Sequence, residues 1–288
     1  MRLHPIIAVF CLMTVTCVSA STDTKKCPTC VSSETLRRRI IEEAPEVAQL
    51  SGIDKAIALL QWASTTGDYS PDPGLTPASF ETWSAQKMVY DFFDHDLGGI
   101  SCGGYAVFFR KILNLFGIDA FEVNYGIPNS YVTHVTVIVP DRGEFYVLDP
   151  SFAVTFTRGN ENLSVDRAIK LIMSGRSDLI HPREHLQRGR DILVRSRREI
   201  SSFPEICERL STTPAGLTKC STTSYSYFSA FQRGSSAEWR KFNVQLDNAG
   251  LFRLMREGFF SVNRSIDPRS RTKFIARMKN LGIPFHAS

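Results

Sequence analysis

The chain has 288 residues, of which 43% are hydrophobic and 22% are charged, and its formal net charge is +5. This composition is that of an ordinary soluble globular protein, so the disordered and fibrous classes are excluded, and the length allows a sizeable core in one large domain or two small ones. The charge is uneven, because residues 183–288 carry 19 Lys and Arg against 9 Asp and Glu. This basic half could face an anionic surface such as a cell envelope, or could simply be a solvated surface. No signature of specific nucleic-acid binding accompanies it.

Residues 1–20 have the pattern of a signal peptide. Arg2 and His4 precede the apolar run PIIAVFCLMTVTCV, and the small residues Val18 and Ala20 suit cleavage before Ser21. An uncleaved N-terminal anchor is the alternative. No later segment is apolar for long enough to cross a bilayer, so we expect a secreted or periplasmic protein with no transmembrane span in the mature chain.

Removal of the signal peptide leaves an odd number of cysteines, which matters in an oxidising compartment. They are Cys27, Cys30, Cys102, Cys207 and Cys220. Cys27 and Cys30, in the leader 21–32, are close enough to form a disulfide, and Cys207 could pair with Cys220, although cross-pairs stay open. Every pairing among these four leaves Cys102 as the free thiol.

Helical periodicity accounts for most of the first hundred residues. It predicts a helix from Ser33 that Pro45 kinks or splits, then a helix KAIALLQWAST capped by Asp54, and a third helix, ASFETWSAQKMVYDFF, after Thr76-Pro77. The run CGGYAVFFRKILNLFG then reads as a buried helix that begins at Cys102 and stops at Gly117.

Three segments rich in β-branched and aromatic residues follow: DAFEVNYG, SYVTHVTVIV and GEFYVLDP, the last two joined by a tight turn at 141–143. Further helices are predicted after Ser164 and at about 246–258 and 267–281. The pattern predicts an α+β fold with the Cys102 helix packed on an antiparallel sheet. We expect a catalytic domain over 33–160 and a basic, mainly helical C-terminal region over 161–288.

Cys102, His134 and Asp149 occur in the order nucleophile, base and orienter. A helix N-terminus stabilises a thiolate, an imidazole can take the thiol proton, and a carboxylate can fix the imidazole. A hairpin folded at 141–143 would place Asp149 roughly opposite His134. Together these features predict a Cys-His-Asp catalytic triad, which needs neither a metal nor an organic cofactor.

The surroundings of Cys102 suggest how an oxyanion would be held. Its own N–H is a natural donor, and flanking glycines such as Gly103 and Gly104 would let a substrate carbonyl approach the backbone. A second donor should come from a side chain or from the preceding helices, and the candidates are Gln61, Trp83 and Gln86.

The block from Gly98 to Phe152 resembles the transglutaminase-like superfamily in its elements GxSCGGYA, THVTVIV and FYVLDPSF. This resemblance implies a papain-like α+β core and a cysteine enzyme that acts on amide bonds through a thioester, as a peptidase, an amidase or a protein-crosslinking acyltransferase. It implies Cys102 as nucleophile, His134 as base and then acid, and Asp149 as orienter. The substrate would be a protein or a cell-wall peptide. Gly103 stands where animal transglutaminases have Trp, so their specificity and calcium dependence are not implied.

Two other functions compete with this one. A non-catalytic binding module of the cell envelope could retain the same fold. The segment His181-Pro-Arg-Glu184-His185 has the spacing of an inverted zinc metallopeptidase motif, which would require both histidines on one face of a helix. Pro182 lies inside that motif, its flanks are not apolar and no third ligand is evident.

Overall fold

In the computed structural model, the described residues are 32–64, 80–91, 100–126, 133–151, 153–185, 249–257, 259–265 and 267–283. They form helices and one antiparallel sheet, so the predicted α+β class is confirmed. The predicted signal peptide and the four cysteines other than Cys102 that were predicted to remain after its removal lie outside these residues, as does the Arg-rich segment after His185.

The N-terminal helices follow the predicted order: α1 is Ser33–Glu43, α2 is Glu46–Gln49 and α3 is Gly52–Ala63. Ser32 caps α1, because its hydroxyl accepts a hydrogen bond from the Thr35 N–H. Pro45 ends the first helical segment as predicted, since proline cannot continue the hydrogen-bond ladder.

The start of α3 differs from the prediction. Its N-cap is Ser51, and Asp54 lies inside the first turn instead of capping it. The carboxylate of Asp141 accepts a hydrogen bond from the Ile53 N–H at 3.3 Å, so the cap comes from a residue 88 positions away. A prediction from local sequence considers only neighbouring residues, so it does not find a cap that another element supplies.

The third predicted helix is interrupted. Residues 80–81 are helical, a turn follows, and α4 is the short segment Ala85–Val89, capped by the Ser84 hydroxyl. The fourth predicted helix is α5, Cys102–Leu115, and it begins and ends as the sequence predicts. Gly117 closes it with φ of +71°, a left-handed value that glycine adopts without strain.

Seven strands in the described part of the chain form a single sheet. They are β1 Phe121–Gly126, β2 Thr133–Asp141, β3 Glu144–Asp149, β4 Val154–Arg158, β5 Glu161–Asn162, β6 His181–Glu184 and β7 Phe259–Ser265. Their order is β5-β4-β3-β2-β1-β7, with β6 also paired to β4, and all pairs are antiparallel. The predicted turn between β2 and β3 is a two-residue loop, Arg142-Gly143, with positive φ at both positions, as tight hairpins require.

The predicted C-terminal region contributes to the same sheet. Strands β5, β6 and β7 come from residues beyond 160, and β7 pairs with β1. The predicted helices there are α6 Val165–Met173, α7 Gly250–Glu257 and α8 Pro268–Asn280. Arg277 of α8 bonds to Asp166 of α6 and to the Gly143 carbonyl, which fastens the last helix to the β2–β3 hairpin. Within the described residues, no helix is long and apolar enough to cross a membrane.

The sheet separates two apolar clusters. Val135, Val137 and Val139 pack with α1 to α5, whereas Ile138, one position out of phase, packs with α6, α7 and α8. Strand β2 therefore buries both of its faces, because successive side chains point to opposite sides of a strand. This burial holds α5 against the strands that carry His134 and Asp149.

One polar network crosses this apolar packing. Arg110 of α5 donates to Glu122 of β1 at 2.7 Å and to both carboxylate oxygens of Glu81 at 2.8 and 2.9 Å. Both Arg110 and Glu122 are buried. A buried guanidinium is tolerated only when its donors are paired in this way, so the network fixes how α5 lies along β1.

Gly104 is expected to be a tight packing position. A Cβ there would lie 2.3 Å from Ile100 Cγ2 and 2.8 Å from the Phe80 ring. We expect Gly104→Ala to lower the free energy of unfolding by about 2 kcal/mol, because overpacking outweighs the gain in helix propensity. Urea unfolding followed by circular dichroism measures the change.

The matched control is Gly117→Ala at the other end of the same helix, where the added methyl meets open space. Its cost of about 1 kcal/mol would come from the left-handed backbone alone. Equal stability of Gly104→Ala and wild type would show that the close contact is not a constraint.

Candidate active site

Cys102 is the first residue of α5. Ser101 is the N-cap, and its hydroxyl accepts a hydrogen bond from the Gly104 N–H at 3.4 Å. This capping leaves the N–H groups of Cys102 and Gly103 without partners inside the helix, at its positive end. The Cys102 side chain is partly exposed, as a nucleophile must be.

His134 and Asp149 form a buried pair on neighbouring strands. His134 Nε2 and Asp149 Oδ2 are 3.0 Å apart, and the two residues are 3% and 0% exposed. The β2–β3 register pairs Val137 with Leu148, so Asp149 comes opposite Thr136 and diagonal to His134. The expectation that Asp149 lies roughly opposite His134 is thus corrected by two residues, a spacing that a diagonal cross-strand pair spans.

The Asp149 carboxylate is held on its other side by the backbone. Asp149 Oδ1 accepts a hydrogen bond from the Ser151 N–H at 2.9 Å. The next carbonyl along the chain, that of Pro150, accepts a hydrogen bond from the Ser64 hydroxyl at 3.0 Å. Each carboxylate oxygen therefore has a donor, which a buried carboxylate needs to stay ionised.

The thiol of Cys102 and the imidazole of His134 are neighbours. Cys102 is one of the groups that raise the pKa of His134. Since Nε2 faces Asp149, Nδ1 is the ring nitrogen that can exchange a proton with the thiol. Burial lowers the pKa of His134, but the charge and hydrogen bond of Asp149, together with Cys102, raise it to about 9. His134 is therefore an imidazolium at neutral pH, and an imidazolium beside a thiol stabilises the thiolate.

Tyr125 forms a further wall of this pair. It lies opposite His134 in the β1–β2 register, and the two rings meet edge to face with their centroids 5.7 Å apart. Tyr125 is fully buried. The contact limits rotation of the imidazole about its side-chain bonds, so β1 helps to aim the base.

The three candidate oxyanion donors have different surroundings. Gln86 donates to the Ser33 hydroxyl of α1 at 2.8 Å, and Gln61 approaches the His185 carbonyl at 3.5 Å. Trp83 meets the Phe80 ring at a centroid distance of 5.4 Å, and Phe80 borders the first turn of α5 at Gly104. Trp83 is thus linked by packing, through Phe80, to the first turn of α5.

The His181–His185 segment lacks the geometry of the zinc motif. Residues 181–184 form strand β6, paired with β4, so the helix that would bring both histidines to one face is not formed. His185 Nε2 lies 2.6 Å from the Thr155 hydroxyl, and burial lowers the pKa of His185 to about 4. Among the described residues, no group of three or more His, Cys, Asp and Glu side chains could hold a metal ion.

The sequence did not single out two residues of this site. Ser64 is a buried serine at the end of α3, and Tyr125 is one of several aromatic residues in β1. A single sequence carries no sign that Ser64 meets Pro150, because 86 residues separate them. Tyr125 could have been found from strand register alone, once the β1–β2 pairing was known.

Comparison with known proteins adds nothing to this picture. No protein-family model, no curated protein and no solved structure matches the chain. What the site can do therefore rests on its own geometry and chemistry.

His134 should make stability depend on pH in a defined direction. Its pKa is about 9 in the folded protein and about 6.5 when unfolded, so its contribution is complete below pH 6.5 and is lost as the pH rises through 9. We expect this contribution to reach about 3 kcal/mol. Urea unfolding between pH 6 and pH 10 measures it.

At each pH, the free energy of unfolding of the wild type is compared with that of His134→Gln, because the contributions of the other titrating groups cancel in the difference. Asp149→Asn should flatten the profile as well, since the Asp149 charge is the largest cause that raises this pKa. Parallel profiles for wild type and His134→Gln would contradict the prediction.

Proposed function

We propose that the protein is an exported, transglutaminase-like cysteine enzyme that transfers the acyl group of an amide to water or to an amine. The observation that supports this most strongly is the buried pair of His134 and Asp149, joined at 3.0 Å, with Cys102 among the groups that raise the pKa of the imidazole. A histidine on the solvated surface would not need a buried carboxylate as its partner. The helix on an antiparallel sheet is compatible with the papain-like core that the sequence resemblance implies.

In the first half of the reaction, the Cys102 sulfur attacks the carbonyl carbon of the amide. The negative charge that develops on the carbonyl oxygen would be held by the free N–H groups at the start of α5, with Trp83 as the favoured side-chain donor. The C–N bond then breaks, and His134 gives its proton to the departing amine. A pKa of about 9 suits this role, because the imidazolium is already present at neutral pH.

In the second half, the thioester is resolved. Water or a primary amine gives a proton to the neutral His134 as it attacks the thioester carbonyl. The C–S bond breaks, the thiolate of Cys102 returns, and the product is a carboxylic acid or a new amide. Asp149 stays ionised throughout and holds His134 in the orientation that both steps require.

The substrate that we propose is a protein or a cell-wall peptide outside the cytoplasm. A signal-peptide pattern over residues 1–20 supports an exported enzyme. Within the described residues Cys102 is a free cysteine. The same site would serve a peptidase, an amidase or a crosslinking enzyme, because these differ in the acceptor that reaches the thioester.

We also propose that α8 faces the anionic surface of a cell envelope. Helix α8 contains no acidic residue, and Arg269, Lys273 and Lys279 are exposed along it. Arg277 is already occupied by Asp166 and Glu144, so the exposed three provide the positive charge that is free to meet a partner. The other exposed residues of α8 are Pro268, Thr272, Ala276 and Asn280, and the absence of a large apolar side chain among them favours adsorption to a surface over insertion.

Substitution of the triad should separate its roles. We expect Cys102→Ala to abolish amide turnover and Asp149→Asn to reduce kcat/KM roughly 10³–10⁴-fold, because the imidazole loses its orienting charge. Mass spectrometry of candidate peptides, incubated with and without a primary amine, measures turnover and separates hydrolysis from amine transfer.

Labelling with iodoacetamide provides a control that needs no substrate. Wild-type Cys102 should react faster near pH 7 than an ordinary thiol does, and His134→Ala should restore the pH profile of an ordinary thiol. Ordinary thiol reactivity of Cys102 in the wild type, together with no amide turnover by the wild type, would favour a non-catalytic binding module.

Charge reversal tests the proposed surface. We expect Lys273→Glu together with Lys279→Glu to weaken binding to vesicles containing anionic lipid by at least about 30-fold at low salt, since each basic residue contributes about 1 kcal/mol. Co-sedimentation measures binding. The control is Arg158→Glu together with Lys170→Glu, which reverses two exposed charges elsewhere. Equal losses in the two variants would show that overall charge, and not α8, determines binding.

A further inference from the structure

We propose that Ser64 is a positioning residue that aligns the Asp149 carboxylate, and through it His134, by holding the peptide group between Pro150 and Ser151. This inference rests on the proposed function for its catalytic consequence. The positioning itself is a property of the fold, which can be measured without a substrate.

One peptide group carries both of the relevant contacts. Its oxygen, on Pro150, accepts a hydrogen bond from Ser64 Oγ at 3.0 Å, and its N–H, on Ser151, donates to Asp149 Oδ1 at 2.9 Å. A peptide group is planar, and its oxygen and hydrogen point in opposite directions. To fix the oxygen is therefore to fix the direction of the N–H bond that holds the carboxylate.

The series of contacts continues towards the nucleophile. Asp149 uses its second oxygen, Oδ2, to bind His134 Nε2 at 3.0 Å, and Cys102 is the neighbour that helps to raise the pKa of His134. Hydrogen bonds in such a series polarise one another where water is excluded. Ser64 is 2% exposed and Asp149 is 0% exposed, so no solvent competes for these groups.

The turn after Asp149 has a reason to need such support. Pro150 has a φ fixed by its ring, and Ala153 has φ of +52°, a left-handed value that costs a non-glycine residue energy. The Ala153 carbonyl accepts a hydrogen bond from the His185 N–H at 2.9 Å, which secures the far end of the turn. Ser64 secures the near end, the one that bears the carboxylate.

Helix α3 is well placed to act as this support. Ser64 is its C-cap, and the Ser64 N–H bonds to the Leu60 carbonyl at 3.0 Å, so the hydroxyl is carried by a regular helix end. Leu60 and Ala63 are completely buried in the cluster that also contains α5. The hydroxyl therefore has a fixed position relative to the helix that presents Cys102.

The test compares Ser64→Thr with Ser64→Val in the full chain. These two side chains have the same shape and differ in the hydroxyl, so any cost of the extra methyl group is shared. NMR of ¹⁵N-labelled protein follows the titration of the His134 ring. In the wild type, Asp149 and Cys102 raise the pKa of this ring. We expect the His134 midpoint in Ser64→Val to lie about one pH unit below that in Ser64→Thr. Ser64→Ala should shift in the same direction from the wild type.

A matched control separates positioning from a general loss of stability. Ser32→Ala removes an N-cap hydroxyl at the start of α1 and should lower stability by an amount similar to Ser64→Ala. Its His134 midpoint and the reactivity of Cys102 should stay at the wild-type values. Ser64→Ala should reduce the rate of Cys102 alkylation near pH 7 roughly three- to tenfold.

The outcomes bear on different claims. Equal His134 midpoints in Ser64→Thr and Ser64→Val would overturn the positioning role, whatever the enzyme does. A shifted midpoint with no amide turnover in the wild type would uphold the positioning role and reject the proposed function. A shift in Ser32→Ala as large as that in Ser64→Ala would also overturn the inference, because loss of stability alone would then explain it.

Discussion

The site depends on keeping one carboxylate ionised where no water reaches it. Asp149 is completely buried, and a buried charge persists only if its oxygens find donors and an opposite charge lies close by. The protein meets this requirement with one backbone N–H from the following turn and one imidazolium from the neighbouring strand. The raised pKa of His134 follows from the same requirement, because the negative charge of Asp149 stabilises the positive charge of the imidazolium.

The helices and strands around His134 and Asp149 hold these two side chains, and Cys102, in position. The apolar residues of β2 alternate between two clusters, which clamps the strand from both sides and leaves little freedom at its His134 end. Arg110 ties α5 to β1 through Glu122, and Gly104 lets Ile100 and Phe80 approach the first turn of α5. The position of Cys102 beside His134 therefore depends on packing along α5, at residues well away from the sulfur.

Prediction from the sequence succeeded where the signal is local. Helix α5, strands β1 to β3 and the Arg142-Gly143 turn all follow from periodicity and turn chemistry, and the hairpin brings His134 and Asp149 together. It failed where a partner is distant in sequence: Asp141 caps α3 in place of Asp54, and residues 181–184 form a strand because β4 offers them an edge. Ser64 belongs to this second group, since its contact with Pro150 depends on the whole helical layer being in place.

The two-residue loop between β2 and β3 has a consequence for how the protein folds. Closing a short loop costs little chain entropy, so a hairpin forms on a microsecond timescale, ahead of contacts between distant segments. His134 and Asp149 can therefore meet early, whereas β7 must return from residue 259 to pair with β1. Long-range pairings of that kind are slow. We expect the His134–Asp149 pair to form before β7 joins the sheet, so that the last folding steps enclose a charge pair that already exists.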